Sequence, residues 1–285
     1  MLDQVEKVRH STIQHGPSSD RVYALELNPS DLPGILDELE DLAVENGYGK
    51  LVAKGRRSDF SAFMARGYKV EARIPGFFGH DEPGLFVGKY LDADRATEEQ
   101  PEKVAEVLMT AQLERTLNGL RGESNHVTAD AGMDLEIREA LPADADAVAK
   151  CYDSVFASYP FPIHDPGHIR EAQGEGTRFF IVKDGEDLVA ASSMEPGGAP
   201  GTVEMTDFAT LPSHRGQGLA TRLLSIMDRH AKESGLRVAY TIARALSHGM
   251  NITFARCSYE YAGTLINNTQ IAGSIESMNV WYKTL

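Results

Sequence analysis

The chain has 285 residues, 42% hydrophobic and 25% charged, the balance of a soluble globular protein with one large or two small domains. A net charge of −14 argues against nonspecific nucleic-acid binding and fits a cationic partner. No apolar run approaches the roughly 18 residues of a membrane helix and the N-terminus reads as no secretion signal. The two cysteines, Cys151 and Cys257, lack metal or redox spacing, so the expectation is a cytoplasmic protein without a metal.

In chain order, residues 1 to about 20 are polar and predict little regular structure, whereas residues 22–27 (VYALEL) predict a strand. Pro29–Ser30–Asp31 then caps a helix over about 32–45, with Leu32, Ile35, Leu36, Leu39, Leu42 and Ala43 at helical spacing and Gly47 at its end. A short strand at 50–53, a short helix at 59–66 and two strands closing at residue 91 complete the first part. Residues 93–103 read as a charged linker, 104–120 as a helix and 122–132 as a second, polar linker. From Leu135 the pattern is dense: strand 135–138, helix 143–156, a Pro-rich loop at Tyr159–Pro160–Phe161–Pro162, helix 168–173, and strands 178–182 and 188–192. A strand at 238–243, a short helix at 250–256 and strands near 261–265 and 278–282 close the chain.

Between these lies the most informative stretch, residues 203–221 (VEMTDFATLPSHRGQGLAT). It starts as a strand, breaks at Pro212–Ser213, crosses Arg215–Gly216–Gln217–Gly218 and enters a helix with Leu219, Leu223, Leu224, Met227 and Ala231 on one face. Such a strand, glycine turn and helix start form an anion cradle. The first helical N–H groups lack internal partners, the dipole adds partial positive charge, and glycine lets the backbone approach a pyrophosphate. No Gly-Lys-Ser/Thr run marks a P-loop, and Thr221 stands where a dinucleotide fingerprint needs its third glycine. The pattern Arg215-x-x-Gly218-x-Ala220 instead resembles the motif with which GNAT N-acetyltransferases bind the pyrophosphate of acetyl-CoA. The order from residue 135 onward, β-α-α-β-β-β-α-β-α-β-β, matches that family too. The resemblance implies an α/β (α+β) GNAT acyl-CoA N-acyltransferase fold.

Other stretches resemble one family more narrowly. They are Tyr159–Pro160–Phe161–Pro162, Thr206–Asp207–Phe208–Ala209–Thr210, residues 249–255 (GMNITFA), 265–268 (LINN) and 275–283 (IESMNVWYK), with Ile74–Pro75–Gly76–Phe77–Phe78 in the first half. Across both halves the chain is similar to the β-lysine N-acetyltransferases. These acetylate the ε-amine of β-lysine, made by lysine 2,3-aminomutase, to give the compatible solute Nε-acetyl-β-lysine. The resemblance implies acetyl-CoA as cosubstrate, a small-molecule amine acceptor, a functional link to lysine 2,3-aminomutase, and no nucleic-acid or membrane partner; it leaves a homodimer open. Lysine, a polyamine or a protein lysine stay as alternative acceptors, and a silent acetyl-CoA-binding sensor or scaffold stays as the alternative to an enzyme.

An alkyl ammonium, with a reference pKa near 10.4, must lose a proton to attack a thioester. Glu204, four residues before Phe208, resembles the superfamily's glutamate base; Thr206 should share its strand face, and Asp207, the second candidate carboxylate, should face the other way. By the same resemblance Phe208, Ala209 and Thr210 should hold the pantetheine arm, admitted by a splay from the strand at 238–243, with backbone N–H groups there stabilising the oxyanion. Arg215, Gly216, Gln217, Gly218, Leu219, Ala220 and Thr221 should cradle the pyrophosphate, and Asn251 should touch CoA. Phe254 stands where many relatives place an acidic tyrosine, which leaves Tyr259, Tyr261 or no acid at all, because a thiolate leaves readily. Tyr159, Phe161, Asn279 and Trp281 should flank the acceptor cleft, with Arg244 a candidate for binding an amino-acid carboxylate.

The two ends of the chain also look alike. Leu27-x-Pro29–Ser30 matches Leu211–Pro212–Ser213, Glu45–Asn46–Gly47 matches Glu233–Ser234–Gly235, and Phe63-x-x-x-Gly67–Tyr68 matches Phe254-x-x-x-Ser258–Tyr259. The first copy lacks the glycine turn and room for the first strands. The expected division is a partial, non-catalytic GNAT-like domain over 1–95, a helical linker over 96–133 and a catalytic domain over 134–285.

Overall fold

The computed structural model describes residues 3–79, 81–121 and 135–285; the polar linker expected at 122–132 lies outside them. The first half runs β1 (Gln4–Val8), β2 (Ser11–Gly16), β3 (Arg21–Glu26), α1 (Ile35–Asn46), β4 (Lys50–Arg56), α2 (Phe60–Met64), β5 (Lys69–Gly79) and β6 (Glu82–Tyr90). Helix α3 (Pro101–Arg121) follows, and then β7 (Leu135–Glu139), α4 (Ala145–Val155), α5 (Pro166–Gly174), β8 (Arg178–Asp184), β9 (Asp187–Pro196) and β10 (Thr202–Thr210). The chain closes with α6 (Leu219–Glu233), β11 (Val238–Arg244), α7 (His248–Arg256), β12 (Glu260–Ile271) and β13 (Ser274–Thr284).

Two strands occupy the segment expected to be irregular. β1 is exposed at nearly every position, so it carries no apolar alternation and is ordered by pairing along its length with β2. β2 buries Ser11, Gln14 and His15 beside Ile13, and their side chains find hydrogen-bond partners, which hides a buried strand from any reading by hydrophobicity. With these strands the first half runs β1-β2-β3-α1-β4-α2-β5-β6, the order of β8-β9-β10-α6-β11-α7-β12-β13. The first copy therefore does hold the meander that leads into its helix, and lacks only counterparts of β7, α4 and α5.

All strands join one sheet in the order β1-β2-β3-β4-β6-β5-β12-β13-β11-β10-β9-β8-β7. Each copy has a parallel pair, β3–β4 or β10–β11, and the crossover that such a pair requires is α1 or α6. The copies meet at equivalent strands, with Ala72 of β5 opposite Gly263 of β12. Gly263 has φ 149°, and a Cβ there would sit 2.0 Å from the Glu71 carbonyl oxygen, so glycine is what lets the backbones meet. A shared core crosses the junction: Ile74, Phe77 and Phe86 pack with Tyr240, Leu265 and Val280.

Buried cations fix the register. β12 is irregular between Leu265 and Thr269, and three successive carbonyls there accept from the first copy. Lys50 Nζ donates to Ile266 O at 2.7 Å, Arg95 Nε to Asn267 O at 3.1 Å, and Arg21 Nη1 to Asn268 O at 2.7 Å. Lys50 is fully buried and pairs with Glu71 at 2.9 Å. Unpaired, that charge would be costly inside the sheet.

Candidate active site

A cavity of about 450 Å³ is lined by residues of both copies. Glu195 of β9 and Glu204 and Asp207 of β10 give it an acidic side. β3 and β4 supply Arg21, Tyr23 and Lys54, the loop after α4 supplies Tyr159 and Phe161, and the approach to α7 supplies Arg244.

Strand alternation places Glu204, Thr206 and Phe208 toward the cavity. Asp207 should then face away, but it lines the same cavity. The β9–β10 register shifts between Thr206 and Ala209, and Asp207 sits at φ 57°, a left-handed conformation that Asp tolerates better than most residues. The bulge turns its carboxylate to the Tyr159 hydroxyl and to Ser193 Oγ, which donates at 2.6 Å. Glu195 lies opposite Glu204 across the strand pair. Burial, then the charge of Asp207, pushes the Glu195 carboxyl well above the usual range, while burial and Asp207 do the same to the Tyr159 hydroxyl.

Burial likewise raises the pKa of Glu204. The Lys54 ammonium and the Tyr240 hydroxyl, which donates to Glu204 Oε2 at 2.8 Å, offset part of that rise, and Asp207 adds to it. A carboxylate moved toward neutral pH is a better proton acceptor than an ordinary surface glutamate. Lys54 stands 5.9 Å from the Tyr240 ring centre and 5.8 Å from that of Tyr23, so the first copy forms the wall facing the base.

β10 and β11 are paired with each other only from Thr202–Val238 to Glu204–Tyr240; beyond that they continue without pairing to one another, leaving an opening beside Phe208, Ala209 and Thr210. At the end of β10, Arg215 Nε donates to Thr210 O at 3.2 Å. Gly216 and Gly218 have φ 79° and 72°, and a Cβ at either would meet no atom within 4 Å. Gly218 precedes Leu219, Ala220 and Thr221 with no side-chain cap and no acidic residue in the first turn of α6. The exposed turn, including Gln217, therefore leaves its helix N–H groups open to an anion.

The acetyltransferase (GNAT) family matches residues 148–258. Over 284 residues, covering 99% of both chains, the sequence is 34% identical to "Beta-lysine N(6)-acetyltransferase" of Methanococcus maripaludis. The chain belongs to the β-lysine N-acetyltransferase family. A second protein of that name, from Methanosarcina mazei, is 33% identical over 52% of this chain and 55% of its own. "N-acetyltransferase YodP" of Bacillus subtilis is 28% identical over 88% of this chain and 87% of its own. This family member is thus an N-acetyltransferase with the GNAT fold, and acetyl-CoA is its cosubstrate. The residues around the β10–β11 opening and the uncapped turn fit that cosubstrate.

Asn251, Asn279 and Trp281, expected at the site of this acetyltransferase, lie outside the cavity lining and are fully buried. Asn251 is fully buried and uses its whole side chain: Nδ2 donates to Arg244 O and Ser247 O, and Oδ1 accepts from Asn279 Nδ2 and Trp281 Nε1, both at 2.9 Å. Asn279 Oδ1 in turn accepts from Thr264 Oγ1. Asn251, Asn279 and Trp281 thus form a core network that ties α7 to β13 and uses their polar side-chain atoms within the fold. Arg244 does line the cavity, where Glu276 pairs with its Nε and Nη2, at 2.6 Å for the latter. Tyr259 donates to Asp228 and the Tyr261 hydroxyl pairs with Thr264, and neither tyrosine is part of the cavity lining. Sequence reasoning missed Arg21, Tyr23, Lys54, Glu195 and Tyr240. Of these only Glu195 carried a signal, as an acid at the end of the strand next to Glu204.

Among the described residues no helix is long and apolar enough to cross a membrane.

Proposed function

We propose that the protein transfers an acetyl group from acetyl-CoA to the ε-amine of β-lysine (3,6-diaminohexanoate), with Glu204 as proton acceptor. The observation carrying this reading is the Glu204 carboxylate, raised in pKa, bonded to Tyr240 and set in an acidic cavity beside the β10–β11 opening. Acetyl-CoA supplies a thioester carbonyl for attack. Glu204 and Asp207 attract the acceptor's ammonium, and Glu195 lies beside them. Glu204 then takes its proton, directly or through water, and the Tyr159–Asp207 hydrogen bond fixes the neighbouring wall. Phe208 to Thr210 hold the pantetheine arm, and Arg215 to Thr221 hold the pyrophosphate. No dedicated acid is assigned, since a thiolate leaves without one.

The base and the cradle belong to residues 134–285, which supports a catalytic domain there. Residues 1–95 supply a wall of the site without a base, and 96–133 connect the two. We place the enzyme in the cytoplasm, consistent with two buried free cysteines, where lysine 2,3-aminomutase would provide its acceptor.

The test is Glu204→Gln, assayed by thiol release with saturating β-lysine. We expect kcat to fall by about 10²–10⁴-fold at pH 7. The deficit should shrink as pH rises toward the amine's own pKa, near 10.4, because solvent then removes the proton. A raised KM with unchanged kcat would make Glu204 an anchor for the ammonium. Full activity at pH 7 would dismiss it as the base.

A further inference from the structure

Arg21 of the first copy and Asn268 of the second line the cavity side by side, each buried to within 3% exposure. Arg21 Nη1 is engaged by the Asn268 carbonyl and Nη2 by Gln14 Oε1 at 3.3 Å, yet Nε–H has no partner. Asn268 Oδ1 is likewise buried without a donor. A lone buried donor beside a lone buried acceptor is expensive when left unmatched. An ammonio-carboxylate supplies the opposite of each: a carboxylate to accept from Nε and an ammonium to donate to Oδ1.

We propose that Arg21 and Asn268 bind the zwitterionic head group of the acceptor, so that the junction between the copies selects an amino acid over a simple amine. The proposal rests on the acceptor reading above. The remaining cations fit it. Arg244 is ion-paired with Glu276 and Lys54 lies next to Glu204, whereas Arg21 is the cavity cation with a buried donor left unmatched. The Arg21 guanidinium lies 4.9 Å from the Tyr23 ring centre, Lys54 flanks the same ring, and Tyr240 carries the wall on to Glu204. One cavity therefore holds a head-group end and a proton-accepting end. Burial lowers the Arg21 pKa to about 10, which leaves it charged at neutral pH.

The test crosses two variants with three amines. β-Lysine carries both head-group charges, 6-aminohexanoate only the carboxylate, and pentylamine neither. In Asn268→Leu we expect kcat/KM for β-lysine to fall about 10- to 100-fold through KM, while 6-aminohexanoate and pentylamine change less than about threefold. In Arg21→Gln, whose amide can still donate to the Asn268 carbonyl, both carboxylate-bearing acceptors should lose about 10- to 100-fold and pentylamine little. Pentylamine turnover and thermal unfolding report that the variants remain folded. Losses of equal size for all three amines, or a preference for β-lysine that survives both variants, overturn the head-group site while leaving the acetyltransferase reading intact. A wild-type enzyme with no preference for β-lysine over pentylamine overturns the acceptor reading and the head-group site with it.

Discussion

The starts of α6 and α1 occupy the same place in two copies of one unit, yet only the first is open. α6 begins after two glycines at positive φ, with no side-chain cap and no acid in its first turn, so its positive end remains available. α1 begins at Gly34 with φ −63°, and Asp37 and Glu38 in its first turn answer the dipole internally. The Arg9 guanidinium lies over this start, 3.1 Å from where a Cβ on Gly34 would be, and pairs with Glu38. A helix N-terminus thus stays open to an anion when the fold withholds its internal partners.

The largest expected effect comes from closing the open turn. Gly218→Asp places a negative charge where a pyrophosphate should bind; like-charge contact costs several kcal/mol, so the acetyl-CoA Kd measured by calorimetry should weaken by at least about 100-fold. The fold should survive, because the site has open space and Asp tolerates a left-handed φ. Unchanged affinity would remove the functional difference between the two helix starts.

Next in size is damage to the clamp between the copies. Lys50→Met leaves Glu71 without its buried partner and should cost about 3–5 kcal/mol, a fall on the order of 10 °C in Tm. Thermal unfolding checks this, and a loss under about 1 kcal/mol would mean that the cations reaching the β12 carbonyls are not what joins the copies.

The smallest effect is expected at the closed start. Gly34→Ala suits a helical φ and asks only the flexible end of Arg9 to shift. Acetyl-CoA affinity should stay within about twofold and Tm within about 3 °C. Weakened affinity would show that α1 also takes part in cosubstrate binding.

These contrasts also explain what the sequence could disclose. Residues 203–221 were legible because their chemistry is local: strand, turn, glycines and helix follow one another, and Glu204 points where alternation puts it. Asp207 was misjudged because a single bulge reverses that alternation, and nothing in the residue types marks it. Arg21 and Lys54 reach the cavity only through a strand pairing between Ala72 and Gly263, far apart in the chain, so no spacing rule links them to Glu204. Asn251, Asn279 and Trp281 sat in stretches typical of the family, but they satisfy one another in the core. A polar residue in a family motif says that its environment is fixed, and only the hydrogen-bond partners tell whether a ligand is part of that environment.

The pairing of β5 with β12 also sets a length. Glu204 belongs to one copy and Arg21 to the other, so their separation is measured out by the register that the cations on residues 266–268 hold in place. Strands slip in steps of two residues if side chains are to keep their faces, and each such step moves a strand by about 7 Å. That is on the order of the span of a six-carbon chain. With the head-group site proposed above, the junction would work as a caliper with coarse divisions: an acceptor one methylene too long or too short could not be met by sliding the sheet, and would have to bend or leave one of its ends unmatched.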